Sequence, residues 1–297
     1  MPRLIVNADD FGLTSGVNRA IVELHQTGVL TSTTLMANAP ASDEAIELAL
    51  ANKGLGVGCH VVLADGLPVL SPLEIPNLAR RTDGTFRETL GRFVRDLYSP
   101  VSTTSLRSAL ATEIEAEATA QICRLQSRGL HLTHVDTHKH THMFPPVLRP
   151  VLRAARACGI TRIRNPFDSA WSRRAVAGIP WLRRAQVTFL SGLEAHVLGI
   201  IAEHGFATTD GTIGVMITGS LDSVSLARTL SHMPEGTWEL VTHPGYHDAD
   251  LDSVRTRLKA SREIERQALK AIVDFPKIEL INFESIASNG TDASIGS

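Results

Sequence analysis

Cysteine is scarce in this sequence, and so is any excess of charge. The three cysteines, Cys59, Cys123 and Cys158, are odd in number and far apart, which argues against a disulfide framework and fits reduced thiols in a cytosolic protein. With 29 basic against 31 acidic residues the formal net charge is −2. Neither a nucleic acid nor an acidic membrane is expected as a partner on that balance, and no block of like charge stands out. No run approaches the ~18 to 20 apolar residues that span a bilayer, so no transmembrane segment is expected. The first residues, MPRLIVNADD, enter a strand-like run without a charged n-region, apolar h-region and cleavage site. A cytoplasmic globular protein is the expectation.

What the chain has is enough apolar residues, 43% of 297, to bury a large core as one big α/β domain or two smaller ones. Leu4 to Ala8 reads as a strand, Asp9-Asp10-Phe11-Gly12 as a polar turn, and Ser15 to Gln26 as a helix. Strands at Thr31 to Ala39 and Gly56 to Leu63 flank a helix that begins at Ser42, a βαβαβ rhythm that implies parallel strands. Ala64 to Thr104 is a long excursion with helical pieces near Glu88 to Tyr98, and a connection of that length is usually functional. Leu106 to Ser127 has helical spacing, with Glu113, Glu115 and Glu117 read as a solvated face. Further helices are expected at Pro145 to Cys158, Gly192 to His204, Ser223 to Ser231 and Asp252 to Val273. Between them strands are expected at Thr161 to Arg164, Gly211 to Thr218, Trp238 to Thr242 and Ile278 to Phe283. About seven strand–helix units in series, with neither repeat nor linker, favour one barrel-like α/β domain over residues 1–287. The polar tail 288–297 has no reason to fold.

The chemistry concentrates in HLTHVDTHKHTH at residues 131–142, which holds five of the twelve histidines. On a straight strand the alternation of faces would put His134, Asp136, His138, His140 and His142 on one side. No apolar core needs that pattern, whereas neutral imidazoles bind zinc-like ions and a nearby carboxylate can join or orient them. A metal site is the leading reading, against a solvated histidine-rich loop or a pH-sensitive patch. Asp9 and Asp10 are adjacent at a strand end, so one can hold a metal while the other stays free as a base, or Asp10 can cap the next helix. His60 in VGCHVVL reads most simply as a satisfied core histidine, with Cys59 facing the other way. Asp9, Asp10, His60, the stretch from His134 to His138 and His243 all fall at or near carboxyl ends of predicted strands, the catalytic face of a barrel.

These stretches resemble the YdjC/ChbG-like carbohydrate deacetylases, and part of the likeness runs toward the hopanoid-associated members. The resemblance is carried by NADDFG at 7–12, GCHVVL at 58–63, HVDTHKHTHMFP at 134–145 and VTHPGY at 241–246, supported by TSTTLMAN at 31–38 and ASREIERQALKA at 260–271. It implies a distorted TIM-like (β/α) barrel holding one divalent metal, with Asp10, His60 and His138 in the ligand positions. Asp9 matches the catalytic base and His243 the group that protonates the leaving amine. The implied reaction is hydrolysis of an N-acetyl group on an amino sugar by metal-activated water, with Mg2+ or Zn2+ as the metal. A metallo-phosphoesterase, another amidohydrolase or a non-enzymatic metal-binding module are the competing classes. Asp136 would orient a ligand or His243, or cap a strand end. His134, His140 and His142 would support the site or contact substrate. Arg164 would bind a sugar hydroxyl or carboxylate, or make a surface ion pair. The remaining histidines outside the cluster, His25, His196, His204, His232 and His247, read as structural.

The chain departs from the family's pattern twice. Cys59 precedes the histidine where leucine or methionine is common, and His138-Lys139-His140 replaces three consecutive histidines, which brings Lys139 to the mouth of the site. With aromatics at 5%, stacking platforms for a long sugar chain are few. The excursion and the apolar run Trp181 to Ile201 could instead line a greasy entrance for a short or lipid-linked N-acetylated sugar. The competing reading packs that run against the barrel or against a partner subunit in a homodimer.

Overall fold

A computed structural model describes residues 1–100, 103–176, 178–270, 272 and 277–287; the predicted tail lies outside them. The strands are β1 (Arg3–Phe11), β2 (Ser32–Leu35), β3 (Gly56–Val61), β4 (Val135–Thr137), β5 (Gly211–Ile213), β6 (Thr237–Thr242) and β7 (Glu279–Leu280). They pair in parallel in the order β4-β3-β2-β1-β6-β5, with β7 added to β1 at Arg3 and Leu4. β1 is buried on both faces from Leu4 onward, as a strand covered on both sides must be.

The sheet curls. Single bridges from Val135 to Ile163, Arg162 to Ala207 and Asp168 to Thr212 carry it from β4 round to β5, so residues 161–169 act as an irregular stave where an ordinary strand was expected. The result is the expected distorted TIM-like barrel, with one wall held by bridges instead of a full ladder. β5 is shorter than predicted because Gly214 turns at φ 110, where a Cβ would stand 2.5 Å from the Val241 carbonyl oxygen.

Around this sheet run α1 (Ser15–Gln26), α2 (Ser42–Ala51), α3 (Leu90–Leu97), α4 (Thr104–Ser127), α5 (Pro145–Ala157), α6 (Ala170–Ala175), α7 (Trp181–Leu190), α8 (Glu194–Glu203), α9 (Ser223–Ser231), α10 (Ala249–Ser253) and α11 (Lys259–Leu269). In α1, Thr14 caps the Val17 N–H, and Val17, Ala20, Ile21 and Leu24 form the buried stripe that helical periodicity dictates. The helix expected over Asp252 to Val273 is broken: α10, capped by Asp248, stops at Ser253 and α11 starts anew. Residues 271 and 273 of that prediction lie outside the described residues. Trp181–Glu203 also corrects an expectation. Its helical course is 23 residues long with an 18-residue window of mean hydropathy 1.4, enough by length and composition to cross a bilayer.

The acidic face of α4 is not solvated. Glu113 accepts from the Asn77 and Leu78 N–H groups at 2.8 Å, and Glu117 from Val69 at 2.8 Å and Leu70 at 3.0 Å. Both glutamates are buried, Glu117 completely, and burial raises the Glu117 carboxyl above its ordinary value. Only Glu115 meets the expectation of a surface charge, paired with Arg153 at 2.7 Å. An irregular excursion has backbone donors with no ladder partner, and buried donors left unpaired are costly. α4 supplies the acceptors. Glu117→Ala therefore strips two backbone N–H groups of their partner, and we expect a loss of about 2–3 kcal/mol in urea denaturation, with new proteolytic cuts between 64 and 104. Unchanged stability and cleavage would show that α4 does not hold the excursion.

Candidate metal centre and catalytic residues

The site begins with a backbone irregularity. Pairing of β1 with β2 loses register between Ala8 and Phe11, and Asp10 takes φ 66. A bulge re-aims side chains, and here both successive aspartates end up buried at the carboxyl end of the barrel. The histidine stretch likewise does not run straight. β4 stops at Thr137, and Lys139 and His140 sit at φ 57 and 51, so the predicted one-sided alternation fails beyond His138.

Three donor atoms converge. His60 Nε2 is 3.2 Å from His138 Nδ1 and 3.5 Å from Asp10 Oδ1, and His138 Nδ1 is 3.3 Å from the same oxygen. Ligands about 2.0–2.1 Å from a tetrahedral ion are separated from one another by roughly 3.3 Å, so the three edges fit one small divalent cation. Asp10 Oδ1 is buried and has no hydrogen-bond partner among the described residues. His60, a core histidine by its local sequence and a ligand position by the resemblance, has Nδ1 2.7 Å from Asp136 Oδ1, a carboxylate that fixes the ring and leaves Nε2 facing the other two donors.

Beneath the triad lies Arg164, fully buried and not the surface cation first considered. Its nitrogens donate to Asp9 Oδ1 at 2.7 Å and Oδ2 at 2.9 Å, to Glu239 Oε1 at 2.7 Å, and to Asp136. Asn7 at 3.0 Å and Thr34 at 3.2 Å add donors to Asp9 Oδ1. Burial alone would raise Asp9; Arg164 more than reverses that and holds the carboxyl far below the usual range. Burial pushes Glu239 up to about 7 even beside Arg164, because Asp9 and Asp136 share the same guanidinium. His60 is opposed by burial yet pushed up to about 9 by Asp136, Asp9 and Asp10.

On the other side, His243 Nε2 is 3.7 Å from Asp9 Oδ2, and its Nδ1 is 3.9 Å from Glu265. Glu265 also accepts the His243 N–H at 2.7 Å, and Arg262 holds Asp10 Oδ2. Thr34, Glu239, Arg262 and Glu265 had no assigned role in the sequence reading. Glu239 carried a signal, a charge inside the apolar strand TWELVT. Arg262 and Glu265 lie three apart on one helical face of ASREIERQALKA.

The remaining histidines of the cluster are not brought to the triad. His134 stacks on Phe283 with ring centroids 3.7 Å apart, over Gly58, where a Cβ would stand 2.5 Å from the ring. Burial pushes His134 down to about 3 and His142 to about 4, and lowers His140 well below its ordinary value. His142 is tied to Thr137 Oγ1 at 2.8 Å. A cavity of about 410 Å3 lined by Leu13, Met36, Asp65, Phe86 and Arg255 opens past the carboxyl ends of β1, β2 and β3, and none of Asp9, Asp10, His60, His138 and His243 lines it.

The profile of the YdjC-like protein family matches residues 3–271. A carbohydrate deacetylase of Brevibacillus brevis is 33% identical over 294 residues, covering 96% of this chain and 99% of its own. One from Thermoanaerobacter pseudethanolicus is 29% identical, covering 91% of each. Among solved structures, an Enterococcus faecalis protein described as a cellobiose-phosphate cleavage protein superposes with TM-score 0.73 at 25% identity, over 96% of this chain and 98% of that one.

The Glu239 proton gives a stability signature. A carboxyl raised from 4.5 to about 7 stabilises the fold fully below pH ~4.5, and that contribution is lost as pH rises through ~7. The melting temperature of the wild type should drop between pH ~4.5 and ~7 and level off above, and Glu239→Gln should flatten the drop. Parallel curves for the two proteins would show that Glu239 is ionised throughout.

Proposed function

The chain belongs to the YdjC-like family, and on that premise we propose that it is a cytoplasmic, metal-dependent carbohydrate deacetylase that hydrolyses the N-acetyl group of an amino sugar. The observation that carries this reading is the pairing of two unlike halves. A three-donor hole, Asp10, His60 and His138, lies against a separate carboxylate, Asp9, and a separate imidazole, His243. A bound divalent ion, Zn2+ or Mg2+, would supply Lewis-acid polarisation of the acetyl carbonyl and acidification of water.

The chain's own groups supply the rest. Asp9 Oδ1 already accepts from Asn7, Thr34 and Arg164, whereas Oδ2 accepts only from Arg164. Oδ2 is therefore the oxygen with room for the proton of the attacking water. Arg164 keeps Asp9 ionised and fixed in direction. His243, whose backbone N–H donates to Glu265 and whose Nδ1 lies 3.9 Å from that carboxyl, delivers a proton to the departing nitrogen, since an amide nitrogen leaves poorly unless protonated. Water adds to the acetyl carbon, the C–N bond breaks, and acetate and the free amine result. With aromatics at 5% of the chain, few stacking platforms are available for a long polymer, which favours a short or lipid-linked N-acetylated sugar. Arg164 already neutralises Asp9 and Asp136, the carboxylates a second ion would use. This favours one ion per chain over the two-metal phosphoesterase alternative.

The two aspartates should separate by mutation. Asp9→Asn should keep its metal by elemental analysis and lose about 10²–10⁴ in the rate of amine release from N-acetylglucosamine oligomers or a lipid-linked equivalent. Asp10→Asn should lose metal first. The opposite pattern, or full activity after chelation, would refute the assignment.

Metal uptake should also release a proton. His60, pushed up to about 9, is protonated at neutral pH, and a cation must displace that proton. Affinity is expected to weaken about tenfold per pH unit below 9, measured by competition with a chromogenic chelator. A pH-independent affinity would mean that His60 is not a ligand.

A further inference from the structure

Most of α7 faces solvent, and the face turned away from the protein is the apolar one. Val187 is its buried residue, with Arg183 and Leu190 half-buried on the same side. Opposite them, at i, i+4 and i+8, stand Trp181, Ala185 and Phe189, with Leu182 alongside. Trp181 is 79% exposed, Phe189 82% and Leu182 54%. A soluble helix reverses this pattern, so the stripe needs an occupant.

Charge selects that occupant. From Ser169 to Leu193 the chain carries Arg173, Arg174, Arg183 and Arg184 and no acidic residue, although the whole protein has a net charge of −2. Arg183, half-buried, donates to the Val215 carbonyl and interacts with Asp168, whereas Arg174 and Arg184 are exposed, Arg184 donating to the Val176 carbonyl. A second copy across a two-fold axis would set these arginines against themselves. An anionic lipid surface meets both the aromatic stripe and the cations, as interfacial helices do. Spanning the bilayer is disfavoured because Val197, Ile200 and Ile201 of α8 are buried in the core and would have to leave it.

We propose that α7 is an interfacial anchor that seats this protein on an anionic membrane surface. Val215 lies two residues past the carboxyl end of β5, so the Arg183 contact places α7 on the barrel rim that carries Asp9, Asp10 and His243. Docking through α7 turns that rim toward the lipid. The proposal stands apart from the deacetylase reading.

The test is co-sedimentation with vesicles of phosphatidylcholine containing one-quarter phosphatidylglycerol, against pure phosphatidylcholine, at physiological salt. Wild type should pellet with the anionic vesicles, and its tryptophan emission should be quenched by brominated acyl chains, a readout that needs no variant. Trp181→Ser and Phe189→Ser should each weaken binding roughly tenfold or more, and Arg174→Gln and Arg184→Gln about fivefold each, with deacetylation of a soluble substrate unchanged. Wild type left in the supernatant, or binding indifferent to all four changes, overturns the proposal. So does a dimer in sedimentation velocity that the double serine variant splits, because a second copy then covers α7.

Discussion

One buried guanidinium sets the terms for the rest of the site. Arg164 is wholly enclosed and touches Asp9, Asp136 and Glu239, an arrangement in which each charge is tolerable only because the others are present. Taking an ion out of water costs several kcal/mol, and leaving a buried partner uncompensated costs about 3–5. Arg164 also reaches across the barrel. Its ligands come from β1, β4 and β6, so it ties together the three walls that aim Asp9, His60 and the loop bearing His243. Of its three carboxyl partners, burial pushes Glu239 up to about 7, while Arg164 and His60 hold Asp9 and Asp136 below their ordinary values.

The second constraint is backbone geometry. The non-glycine residues with positive φ among the described residues are Asp10, Asp65, Lys139 and His140. Asp10 lies in the donor triad, Lys139 and His140 follow its His138, and Asp65 pairs with Lys139. Such conformations cost about 1–3 kcal/mol each and persist where the surroundings enforce them. Here the enforcement is visible as the ion pair between the excursion and the histidine turn.

Much of this was legible in the sequence because period and position carry it. Apolar runs ending in polar residues marked the strand ends, and the spacing of HVDTHKH marked the cluster. What was hidden depended on a break in period. Alternation predicted one face for His134 through His142, but a turn after His138 sent His140 and His142 elsewhere and left His134 under Phe283. The glutamates of α4 read as solvated because nothing in the local pattern reveals a distant excursion in need of acceptors. Arg164 reads as a substrate contact or a surface ion pair for the same reason: its three carboxylates lie 28 to 155 residues away along the chain, joined only by the barrel. The broken helix at Ser253 falls where Val254 to Leu258 has no apolar stripe of its own.

Adjacent aspartates of identical chemistry acquire different properties from the cations they meet. Asp9 is gripped through both oxygens by Arg164, so its direction is fixed and its carboxyl is held below the usual range. Asp10 meets Arg262 through Oδ2 alone, and Oδ1 is left buried with no hydrogen bond. A carboxylate oxygen without a donor in a low-dielectric setting is unfavourable unless a cation completes it. Asp10 Oδ1 lies within 3.5 Å of two imidazole nitrogens, and His60 holds a proton that only a stronger Lewis acid would displace. One divalent ion would complete that oxygen and take the place of the His60 proton, and this double fit is the physical argument for the proposed metal.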